Sequence, residues 1–134
     1  MSNRKSTGAA LLSAARTATP ADILLDKTSL GASGQALINM HIIIDVTAIA
    51  ATPSVVPTIV ATDKLSGQEY VLLTGSAITG VSTTVLKVGR DMVPAANLAE
   101  QDFIPDNTVL RFTHADADSI TYSVGINAEF DSYI

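Results

Sequence analysis

Along the chain, short runs of β-branched and aliphatic residues alternate with polar ones and are bounded by Gly, Pro, Asn, Asp and Ser, the pattern of strands joined by turns. From Leu37 to Thr47, Ile38, Met40, Ile42, Ile44 and Val46 share one face, and Asn39, His41, Asp45 and Thr47 share the other, with Ile43 as the interruption. The apolar face is predicted core. After a loop over Ala48 to Pro53, alternation resumes from Val55 to Thr62, and Pro57, which lacks an amide donor, assigns that strand to a sheet edge. Lys64-Leu65-Ser66-Gly67 turns the chain into Glu69 to Leu73, a hairpin. Thr83 to Val88 is the next strand, closed by Gly89-Arg90-Asp91.

The segment Met92 to Gln101 reads as extended, although Pro94 followed by Ala95, Ala96 and Leu98 also suits a first helical turn. Thr108 to His114 and Ser119 to Ala128 come next. In the second, Ile120, Tyr122, Val124 and Ile126 alternate with Ser119, Thr121, Ser123 and Asn127, and the two segments read as the clearest hairpin of the chain. Asp116 and Asp118 would be its tip, since Asp caps tight turns by accepting backbone amide protons. Many short strands, no long amphipathic helix and no βαβ alternation predict an all-β fold, an antiparallel β-sandwich of jelly-roll or immunoglobulin-like type.

The length of 134 residues allows one core. Residues 1–20 read as a basic N-terminal arm and residues 21–134 as the sandwich domain. The arm lacks strand alternation and, at this length, is marginal as an isolated helix. It carries Arg4, Lys5 and Arg16 with no acid, so that with a net charge of −5 over the whole chain the remainder stands at −8. Leu11 and Leu12 give it apolar anchors, so Arg4, Lys5, Leu11, Leu12 and Arg16 are the expected interface residues, an arm that orders on a neighbouring subunit. Arg4-Lys5 and the apolar stretch Gly8 to Ala15 imitate a secretion signal, but Ser13 breaks the stretch and Arg16 closes it, so it reads as mature sequence.

The acidic body repels nucleic-acid phosphates and lacks aromatic stacking platforms, so no nucleic-acid partner is expected. No membrane partner is expected either: the longest apolar runs are a few residues, against about 20 for a membrane helix. Hydrophobic residues make up 47% and charged residues 16%, a balance that predicts apolar surface buried against another chain.

The absence of cysteine removes disulfides, thiolate nucleophiles and zinc-thiolate sites. Imidazole chemistry would need His41 or His114, and no Gly-x-Ser-x-Gly elbow accompanies them. His114, Asp116 and Asp118 alternate along the chain and form the sharpest metal candidate. As a calcium loop starting at Asp116 the segment fails, because Asn127 stands where a bidentate Glu belongs. Gly31 to Gly34 and Gly75 to Gly80 lack the Lys-Ser/Thr ending of a phosphate loop. The carboxylate pairs Asp22/Asp26 and Glu100/Asp102 lie in polar stretches. No catalytic residue, metal or cofactor is expected, and the chain does not read as an enzyme.

Three stretches resemble a known family: Ile43-Ile44-Asp45-Val46-Thr47-Ala48, Lys64-Leu65-Ser66-Gly67-Gln68-Glu69-Tyr70, and above all the segment from His114 to Gly125, His-Ala-Asp-Ala-Asp-Ser-Ile-Thr-Tyr-Ser-Val-Gly. They are similar to small structural proteins of tailed-bacteriophage virions, over about Ala15 to Ala128, with Thr74 to Gly80 and Thr83 to Val88 matching the Thr-rich middle strands. The chain departs in a longer insertion between Asp22 and Gly34 and in the tail Glu129 to Ile134. The resemblance implies a non-enzymatic capsid decoration or cement protein on the outside of the virion, seated on the major capsid protein and paired with itself as a homodimer or homotrimer. A neck, tail or fibre component, or a carbohydrate-binding module using Tyr70 or Tyr133 as a platform, is the alternative that the same residues allow.

Overall fold

A computed structural model describes residues 2–6, 10–25 and 35–132. It is an all-β sandwich of two packed, open and mostly antiparallel sheets. The strands are β1 (Ser2–Ser6), β2 (Leu11–Arg16), β3 (Ile23–Leu24), β4 (Gln35–Ile49), β5 (Val55–Thr62), β6 (Glu69–Thr74), β7 (Ser82–Gly89), β8 (Ala99–Gln101), β9 (Val109–His114) and β10 (Ile120–Ser132). The first sheet has the order β1-β10-β4-β7-β8, with β2 following β1 along the same edge of β10; the second has the order β3-β9-β5-β6.

The core lies where the inward faces meet. Met40, Ile42, Ile44 and Val46 of β4, and Ile120, Tyr122, Val124, Ile126, Ala128 and Phe130 of β10, face Val55, Ile59, Leu110 and Phe112 of the second sheet. Alternation over the middle of β4 and over β10 is the one the sequence predicts. A register shift between Glu129 and Phe130 passes over Ile38 and pairs Phe130 with Leu37. Leu37, not Ile38, therefore packs on the core, since one extra residue in one strand reverses which side chains face inward.

Further expectations are corrected. The first concerns residues 1–20, read as an arm without strand alternation that orders on a neighbouring subunit. In fact β1 pairs with Asp131 to Asn127, and β2 with Ile120 to Val124, both antiparallel. Alternation is absent from β2 because neither of its faces is fully buried, and a backbone ladder needs no side-chain period.

The second concerns the hairpin over Thr108 to Ala128. β9 pairs with β5 and β3, whereas β10 pairs with β4, β1 and β2, so residues 115–119 form a corner between sheets. Asp116 and Asp118 are turn residues at that corner and not at a hairpin tip.

The third concerns Pro57. β5 is an inner strand, with Pro57 opposite Phe112 on one side. On the other, pairing with β6 ends at Thr74, and the Pro57 carbonyl accepts the Gly75 amide at 2.8 Å. The missing donor falls at the end of the ladder, where its loss removes no interior rung. Met92 to Gln101 is neither helix nor a continuous strand: it is an irregular connection ending in the short β8, which runs parallel to β7. The β5–β6 hairpin forms as expected, its turn closed by Asp63 and by Gly67 at φ 76°.

Candidate functional site

Of the five expected interface residues, Arg4, Leu11, Leu12 and Arg16 have described side chains, and these differ in their surroundings. Arg4 projects from β1 into solvent, 3.6 Å from the Glu129 carboxylate. Lys5 is the register partner of Ala128, and its side chain lies outside the described residues. Leu11 packs partly buried against the core, while Leu12 on the opposite face is 74% exposed. Arg16 turns back over the sandwich. Its guanidinium donates to the carbonyls of Leu12, Ala14 and Tyr122 and sits 4.6 Å from the Tyr122 ring centroid.

Tyr122 joins the sheets at this end. It is buried, its ring centroid is 4.9 Å from that of Phe112, and its hydroxyl lies 3.0 Å from Nε2 of His114. Burial pushes the Tyr122 phenol up to about 12, with the Arg16 charge opposing. Burial first, and the charge of Arg16 second, hold the His114 imidazole below its ordinary range, with Asp116 opposing. The His114 amide donates to the Thr19 hydroxyl at 3.1 Å, which ties the strap's exit to β9. These contacts use His114 to brace the fold, its Nε2 engaged with the Tyr122 hydroxyl and its amide with Thr19.

At the inter-sheet corner, the Asp118 carboxylate accepts the amide and hydroxyl of Thr52 at 3.1 and 3.3 Å, and Asp116 accepts the Asp118 amide at 3.1 Å. Both acids therefore cap backbone instead of converging on a cation with His114. Among the described residues, no group of three or more His, Asp or Glu side chains could hold a metal ion. His41 stands on the outer face of β4, between Lys87 and Asn127 in register. Asp22 and Glu69 both accept from Arg111, at 2.8 and 2.7 Å. Asp26 and the stretch Gly31 to Gly34 lie outside the described residues.

Two features escaped the sequence pattern. A depression of about 510 Å³ opens beside Arg4, Asn39, His41, Asp91, Met92 and Glu129. Asn39, expected on the polar face, is buried there, its amide nitrogen donating to Asp91 at 2.9 Å and to Glu129 at 2.8 Å. Its amide oxygen accepts the Asp91 amide at 3.2 Å, so the buried Asn39 side chain is fully paired.

The second is a set of exposed apolar side chains on β6 and on the connection between β7 and β9. Val93 and Phe103 are 83% and 70% exposed on the β7–β9 connection, Leu98 stands between them in sequence, and Tyr70 and Val71 are exposed on the edge strand β6. Asn97 donates to the Thr74 carbonyl at 3.0 Å, holding that connection against β6. Of the tyrosines considered as sugar platforms, Tyr70 is exposed and Tyr133 lies outside the described residues. No family model matches the chain, and neither a curated protein nor a solved structure matches it.

Proposed function

We propose that this chain is a structural protein of a tailed-bacteriophage virion, a decoration or cement protein that binds the outside of the major capsid protein lattice and stabilises it, with its copies paired as dimers or trimers. The reading begins from the sequence likeness of the segments around Asp45, Gly67 and Tyr122. The observation that carries it furthest is the number of exposed apolar side chains, among them Tyr70, Val71, Val93, Leu98 and Phe103. Water-exposed Val and Phe side chains on a small sandwich are costly in a free monomer and useful when buried against a neighbour. Many weak contacts repeated over a lattice add by multivalency, so no single deep site is needed.

Copy number tests it. In purified virions carrying this chain, quantitative mass spectrometry is expected to find it in proportion to the major capsid protein, and particles stripped of it should lose heat resistance. A handful of copies per particle would assign it to the neck, tail or fibre. Unchanged heat resistance after stripping would remove the cementing role.

A further inference from the structure

The terminal strap belongs to the sheet but not to the core. β1 and β2 occupy one edge of β10 from Ser2 opposite Asp131 to Arg16 opposite Ile120. Among the described residues, the buried cluster runs from Leu25 to Phe130 without them, and from the strap Ala10 and Leu11 pack on it. Lifting the strap therefore opens a strand edge and leaves the hydrophobic centre in place.

An open β10 edge is a row of unpaired amide and carbonyl groups, and such an edge templates pairing with another strand. The other edge of β10 is already bonded to β4 along nearly its whole length. Charge selects the occupant. The strap carries Arg4, Lys5 and Arg16 and no acid, while β10 carries Glu129 and Asp131 and no Lys or Arg. Arg4 meets Glu129 across the edge in the antiparallel register. The segment that best matches a β10 edge in length, register and charge is thus another copy of the same strap.

The geometry points to strand exchange: in a pair of copies of this chain, β1 and β2 of one lie along β10 of the other, reciprocally and in the register seen within one copy. Residues 17–22 are the tether, able to span about 20 Å when extended. Every strap contact made within one copy is remade between two, the Arg16–Tyr122 stack included, so the balance is set by the tether. A strap held by a short tether has an effective concentration of order mM. The exchanged pair gains as the chain approaches that concentration, or as copies are held side by side. The inference does not rest on the virion reading and is tested on the purified chain alone.

The chain has no cysteine, so introduced thiols report without background. Residues 4 and 129 are register partners, and Cα atoms of antiparallel partners lie about 4.5 to 5.5 Å apart, within disulfide range. Full-length R4C and full-length, isotopically labelled E129C are mixed at about 1 mM in a glutathione redox buffer and analysed by mass spectrometry.

The mixed 4–129 disulfide is expected to exceed, by about tenfold, the disulfide formed when R4C is mixed with S123C, six residues away along β10. The excess should fall on dilution to about 1 μM. A mixed disulfide no more abundant than that control at any concentration, while the double variant R4C/E129C closes within one chain, would show that the strap never leaves its own copy. Failure of the double variant to close at all would overturn the register on which the exchange depends.

Discussion

Arg16, the last residue of β2, lies across the ring of Tyr122, 4.6 Å from its centroid, so the terminal strap ends on an aromatic residue that the two sheets share. Arg16 also caps three carbonyls, two from its own strand and one from β10. Arg16→Ala is expected to cost about 1 to 2 kcal/mol, from the loss of a partly desolvated cation–π contact and charged hydrogen bonds. Hydrogen–deuterium exchange should show the lost protection concentrated in residues 11–16. Arg16→Lys should recover only part of it, because an ammonium lacks the planar fork. Unchanged protection in the alanine variant would mean that backbone pairing alone holds β2.

His114 makes stability depend on pH in a stated direction. Its folded pKa is depressed, by burial first and then by Arg16, so the unfolded chain takes up the proton more readily. The stabilisation is complete above the unfolded value of about 6.5 and is lost as pH falls from there through the folded value. Thermal unfolding midpoints should drop between pH 7.5 and pH 5, and His114→Gln should flatten that drop. An equally steep drop in the variant would place the dependence on other groups.

Gly89 has no room for a side chain. A Cβ there would lie 2.7 Å from both the Asn39 Cα and the Ile38 carbonyl oxygen, both backbone atoms of β4, whereas a Cβ at Gly125 meets nothing within 4 Å. Gly89→Ala should destabilise by about 2 to 3 kcal/mol through forced separation of β7 and β4. Gly125→Ala should shift denaturant midpoints little, which makes it the matched control. Similar midpoints for the two variants would show that the sheet yields at Gly89.

The corner between β9 and β10 depends on Asp118. Its carboxylate is the acceptor for both the amide and the hydroxyl of Thr52. Asp118→Ala should cost about 1 kcal/mol in urea unfolding, the usual loss for a capping carboxylate. Asp118→Asn retains an acceptor and should cost less. If the two variants unfold alike, the charge and not the acceptor geometry holds the corner.

Much of the strand content could be read from alternation. Met40 to Val46 and Ile120 to Ile126 present their apolar sets to the core because a pleated strand reverses side at every residue. The Asp63 to Gly67 turn was legible because a left-handed glycine and a short acid leave a local mark. The surroundings of the arm's charged side chains were less legible. Arg4 and Arg16 belong to one basic stretch in sequence, yet one projects into water and the other folds over a buried ring. The buried Asn39 left no sign, because the partners that satisfy it arrive from β10 and from the turn after β7.

By itself, then, the amino-acid order determined that Met40 to Val46 and Ile120 to Ile126 extend, which of their faces turn inward, and where the turn before Glu69 falls, since each depends on residues within a few positions of one another. Only the tertiary structure decided which strand lies beside which. It sent β9 and β10 to opposite sheets, made β5 an inner strand despite Pro57, and laid residues 2–6 and 11–16 along β10. The physical reason is that the ladder is built from amide and carbonyl groups common to nearly every residue, so pairing is chosen by how the buried faces pack across the whole sandwich.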